Sequence, residues 1–163
     1  MQTRIVRDGS IAGALAATSV AGWFFLIDLV LRHPFQTPIA LGRGFFTLFG
    51  QSTQGDTDVL LVVGYTVFHY VAFMAAGLLV AVIVHWAEQQ PTVLAGALLL
   101  FVAFELAFYA MSSAFGSIPV LGVLAWYNVA IGNLIASVAM GAYMWRTHPK
   151  LKAELIYALE GKE

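Results

Sequence analysis

Four runs of apolar residues, each long enough to cross a bilayer, constrain this chain more than any other feature of its sequence. A hydrocarbon core of about 30 Å takes about 20 helical residues. A backbone inside it must satisfy its own amides, which leaves helices or a closed barrel. The runs cover 11–31, 59–86, 92–113 and 121–145. Composition agrees: 60% of the residues are apolar and 10% charged, with a mean hydropathy of +0.82, where soluble domains carry about 25% charged residues. The expectation is an all-α integral membrane protein, a four-transmembrane-helix bundle forming a single membrane domain over 1–163. The first run is full length and lacks the short apolar core and small-residue cleavage site of a signal peptide, so it reads as a retained anchor. Asp8 and Ser10 offer N-cap chemistry to the first span, Asp58 to the second, and Thr92 after Pro91 to the third.

Basic residues set the orientation. Arg4, Arg7, Arg146, Lys150, Lys152 and Lys162 fall on the side that holds both termini, and only Arg32 and Arg43 on the other. The positive-inside rule then puts both termini in the cytoplasm. Trp23, Trp86, Trp126 and Trp145 lie mostly near span ends, as an interfacial belt requires. In the outer amphipathic loop, 33–57, Thr37 is a candidate N-cap and Pro38 a first helical residue. Phe45, Phe46 and Phe49 make the segment too apolar for a free loop. It reads as a short helix on the membrane or on a partner, with the glycines of GRGFFTLFG supplying flexibility. The cytoplasmic tail, 146–163, repeats the device: Thr147 caps, Pro149 starts, and Leu151, Leu155 and Leu159 line a face suited to lipid or to another subunit. Small residues at helical spacing mark close approaches: Gly13, Ala17 and Ala21 on the first span, Ala72 and Ala76 on the second, Ala103, Ala107 and Ala114 near one face of the third, and Gly132 with Ala136 or Ser137 with Gly141 on the fourth.

Polar residues inside the spans are the candidate functional groups. Glu105 sits in LLLFVAFELAFYAM, about 12 Å inside the outer end of its span at 1.5 Å per residue. His69, Asn128 and Asn133 reach similar depths, Tyr65 and Tyr109 extend the layer outward by one turn, and Asp28 lies at its rim. A charged side chain at mid-membrane costs about 2.5–3.5 kcal/mol on insertion scales and usually faces a bundle interior or a water-filled cavity. Glu105 is therefore expected to meet His69, or failing that Asn133, as a structural pair, a ligand or proton site, or a contact with another chain.

Several chemistries are excluded or left without support. The chain has no cysteine, so disulfides, thiolate metal sites and thiol nucleophiles are absent. A net charge of −1 with no basic patch gives no sign of nucleic-acid binding. Zincin, nucleophile-elbow and Walker motifs are missing. Bis-histidine haem needs two imidazoles at one depth, yet His69 is the single mid-membrane histidine; His85 and His148 near the inner edge are the other candidate pair. No metal site or cofactor is assigned.

Taken as a set, DGSIAGALAA, LRHPFQTPIALG, FHYVAF and WRTHPKL resemble a group of small bacterial four-span membrane proteins. The resemblance implies a bacterial inner-membrane setting, and no activity or site residue comes with it. The leading expectation is a non-catalytic accessory or structural subunit of a larger membrane complex, in contact with lipid and other membrane subunits. The alternatives are a protein binding a quinone, haem or pigment, and an oligomeric proton or small-solute conductor using Glu105 and His69.

Overall fold

The computed structural model describes residues 2–48, 50, 57–90, 92–94, 102 and 126–160. These residues form α1 (Gln2–Val30), α2 (Gln36–Leu48), α3 (Asp58–Ala87), α4 (Trp126–Thr147) and α5 (Pro149–Glu160), and no strand occurs among them. The molecule is all-helical, and α1 and α3 are long and apolar enough to cross a membrane. At 1.5 Å per residue each runs about 44 Å, longer than the hydrocarbon thickness of about 30 Å. Most of the third expected span lies outside the described residues.

Helix ends differ from the sequence expectation in an informative way. α1 starts before Asp8 and Ser10, so neither is a cap: Asp8 lies inside the helix and is buried. Thr57, not Asp58, caps α3, its hydroxyl accepting from the Leu60 amide at 3.4 Å, while Asp58 supplies negative charge to the first turn. Thr147 ends α4 and turns back to bond the Tyr143 carbonyl at 3.0 Å instead of capping α5, which does start at Pro149. α1 stops in a Schellman turn, with His33 N–H on Asp28 C=O (3.0 Å) and Arg32 N–H on Leu29 C=O (3.1 Å). Arg32, at φ 60°, holds the left-handed position that glycine usually fills, and Phe35 at φ 67° completes the reversal into α2.

α1 lies between α3 and α4 and runs antiparallel to both. Its start meets the end of α3, where Gly9 faces Gly77 and Leu78, and its middle meets His69. On the other side Trp23 meets Asn128 at the start of α4, and Asp8 meets His148 just past its end. Ala12, Ala16 and Val20 of α1 pack with Ala81 and Val84 of α3 and with Ala136, Met140 and Met144 of α4. Gly13 and Ala17 are buried as expected, whereas Ala21 and Ala72 are exposed. The α3 partner of the seam is Gly77. A Cβ on Gly77 would lie 2.8 Å from the Gly13 Cα and closer still to the Gly9 carbonyl oxygen, so backbone touches backbone here. On α4 Gly132 and Ala136 take the buried seam and Ser137 and Gly141 stay exposed.

α2 folds back on the first turns of α3. Gly42 is not a loop hinge but a contact: a Cβ there would meet the Leu61 carbonyl oxygen at 2.5 Å. The ring of Phe46 sits over Gly64, and Phe45 stacks on Phe68 with ring centroids 4.4 Å apart. These two phenylalanines therefore spend much of their surface within the chain; Phe49 lies outside the described residues.

Candidate functional site

Two polar regions mark the ends of the α1–α3 pair, and the end beside α2 is called outer and the end beside the start of α1 inner, as labels of position within the fold. At the outer end, a cleft of about 380 Å³ opens between α1, the start of α2 and α3. Phe24, Phe25 and Phe35 give it an apolar lining, and Asp28, Tyr65, His69, Tyr70 and Thr18 place polar groups along it. Asp28 is 2% exposed, and both of its oxygens are occupied by Thr37, with the amide at 2.9 Å and the hydroxyl at 2.7 Å. A carboxylate at a helix start accepts orphan amides and meets the positive end of the helix dipole. Asp28 of α1 thus caps α2 from outside it. Thr37, expected to be the cap, is the capped residue.

His69 is buried, and its Nε2 lies 3.1 Å from the Ala17 carbonyl oxygen of α1. A carbonyl only accepts, so Nε2 carries the hydrogen and Nδ1 of the neutral ring is left as an acceptor. The imidazole stands among aromatic rings, with Phe73 at 4.7 Å, Tyr65 at 5.6 Å and Tyr70 at 5.9 Å between centroids. Thr18 donates to the Ala14 carbonyl at 2.8 Å, so the 2.9 Å contact between Thr18 and Tyr70 draws its hydrogen from Tyr70. The Tyr65 hydroxyl has no hydrogen-bond partner among the described residues, although Tyr65 is half-buried.

No family model, curated protein or solved structure matches the chain. Chemistry at the two ends therefore carries the functional argument.

At the inner end, a second pocket of about 310 Å³ collects Arg7, Asp8, His85, Glu88, Thr147 and His148 from α1, α3 and the α4–α5 corner. Asp8, 3% exposed, takes a 2.9 Å bond from Arg7 and faces His148 Nε2 at 4.0 Å. His85 and Glu88 form a looser pair at 3.9 Å on one face of α3. His85 and His148 do share this pocket, as their common depth suggests. Among the described residues no group of three or more His, Asp or Glu is placed to hold a metal ion.

Of the sequence-selected layer, Asp28, Tyr65 and His69 converge on the outer cleft. Asn128 is met elsewhere: its backbone carbonyl accepts from Trp23 Nε1 at 3.1 Å, and Trp23 does not line the cleft. Asn133 is half-buried on α4, where its backbone carbonyl accepts from Ser137 at 2.8 Å. Glu105 and Tyr109, and with them the expected His69–Glu105 pair, lie outside the described residues. Leu151 is buried in the chain's own core beside Met144, and the side chains of Leu155 and Leu159 lie outside the described residues. Thr18 and Tyr70 were not singled out from sequence, and Asp8 was read there only as a helix cap. The signal available for Asp8 was its position directly before the G-x-x-x-G step of Gly9 and Gly13.

Proposed function

We propose that this chain is a four-span bundle of the bacterial inner membrane, with both termini cytoplasmic, serving as a non-catalytic accessory subunit of a larger membrane assembly. The observation that carries this reading is the division of polar and apolar surface. Asp28, His69, Tyr70 and Trp23 all bind helices of the same chain together, while the outward faces are apolar: Val63, Val67, Val71 and Leu79 on α3, and Leu134 and Val138 on α4, are all more than half exposed. Only 28% of the apolar stretch of α1 and 22% of that of α3 is buried within the chain. The core helix of a soluble protein would be mostly buried. Such surface suits lipid tails and other helices.

Four crossings are supported by helix direction. α3 and α4 both run opposite to α1, so the chain between them has to return over the height of α4, about 33 Å at 1.5 Å per residue. The open Ser137–Gly141 step on α4, where a Cβ on Gly141 would meet nothing within 4 Å, leaves room for a neighbouring helix. Purification of a tagged chain in mild detergent tests the subunit reading: membrane proteins should co-purify in fixed stoichiometry. A lone monomer, recovered folded and without partners, contradicts it.

A further inference from the structure

We propose that the cleft between α1 and α3 binds a lipophilic phenol or quinol, whose ring hydroxyl bridges Tyr65 and His69. A volume of about 380 Å³ falls in the range of small-molecule sites, about 300–1,000 Å³. Such sites combine apolar walls with a few placed polar groups. The walls here are Phe24, Phe25, Phe35 and Val62.

The chemical class follows from the hydrogen bonds that remain to be made. Both oxygens of Asp28 already accept from Thr37, and the hydroxyl hydrogen of Tyr70 is committed to Thr18. Among the described residues of the cleft the Tyr65 O–H is the side-chain donor without a partner, and His69 Nδ1 is an acceptor, its role fixed because Nε2 donates to Ala17. Tyr65 and His69 are one turn apart on the same face of α3, with ring centroids separated by 5.6 Å. A hydroxyl is the group that answers both, since it donates one hydrogen and accepts another. A quinone carbonyl or an ether oxygen accepts from Tyr65 but leaves Nδ1 unpaired. A water could take the same two bonds, yet the walls of the cleft are largely apolar and its other polar side chains are bonded within the chain, which favours a ligand whose other atoms are apolar too.

The test uses the full-length protein in phosphatidylcholine nanodiscs and calorimetric titration with 4-decylphenol, with 4-decylanisole as the matched ether. The phenol should bind saturably and about tenfold more tightly than the ether, the value of one added hydrogen bond in an apolar site. Tyr65→Phe removes a hydroxyl with no partner among the described residues, so the bundle should fold; its affinity for the phenol should fall about fivefold. Absence of saturable binding, equal affinity for phenol and ether, or an unchanged Tyr65→Phe overturns the proposal. A decyl-substituted benzoquinol, titrated anaerobically, distinguishes the source: tighter binding than the phenol assigns the site to a quinol, and weaker binding to a phenolic lipid. In either case the quinol should outcompete the corresponding quinone, and the reverse order overturns the hydroxyl bridge.

Discussion

The two halves of the α1–α3 pair are built from the same two helices and solve opposite problems. In the inner half Gly9, Gly13 and Gly77 bring the backbones into contact, and no space remains for a single added carbon. In the outer half Phe24, Phe25, Tyr65 and Tyr70 hold a cleft between the same helices, spanned among the described residues only by the bonds from His69 to Ala17 and from Tyr70 to Thr18. In a membrane, where lipid tails are as apolar as leucine, close packing and interhelical hydrogen bonds replace the hydrophobic effect as the glue. The inner half relies on the first and the outer half on the second. Geometry explains the division: a pair of helices locked at one end can be splayed at the other by larger side chains, provided that polar contacts keep the splayed end in register.

The largest expected effect breaks the contact half. Gly13→Leu must push α1 away from Phe73 and Met74, whose backbone atoms already occupy the space of a Cβ. A loss of about 3 kcal/mol or more is expected, at the upper end of overpacking effects, because the obstruction is backbone and cannot rotate aside. Thermal unfolding in detergent measures it. An unaffected midpoint would remove the seam from the account.

A smaller effect belongs to the hydrogen-bonded half. Asp28→Ala strands the buried amide and hydroxyl of Thr37 and releases the start of α2, at an expected cost of about 2 kcal/mol. Asp28→Asn, which retains an acceptor, should cost less. Because the chain has no native cysteine, the labelling rate of Arg43→Cys reports on α2 directly, and it should rise in Asp28→Ala. An unchanged rate would mean that α2 is held by its contacts on α3, through Gly42, Phe45 and Phe46, without the bond to Asp28.

The parts of this arrangement that were legible in the sequence are those set by a single helix. Apolar length gave α1 and α3, and depth singled out His69, Tyr65 and Asp28. Partners were less legible, because they depend on which faces meet. His69 binds a backbone carbonyl, which no sequence pattern marks, and Thr37 meets Asp28 across a chain reversal that uses two left-handed residues other than glycine. Gly77 carries no signal of its own within an α3 that is apolar on every side, and it gains meaning only opposite Gly9 and Gly13. Gly42 was read as flexibility for the same reason: a glycine that serves a turn and one that admits a neighbouring backbone look alike in one dimension.

The most direct test places the same substitution at both ends of the pair. Gly77→Ala and Gly22→Ala add one methyl group to a helix and gain the same intrinsic propensity, about 0.5–1 kcal/mol. The Cβ at position 77 would run into the backbone of Gly9 and Gly13, whereas at Gly22, on the cleft, it would meet nothing within 4 Å. Compared by thermal unfolding in one detergent, Gly77→Ala should lower the midpoint clearly and Gly22→Ala should leave it unchanged or raise it. Equal shifts in the two variants would contradict a helix pair that is closed at its inner end and open at its outer end.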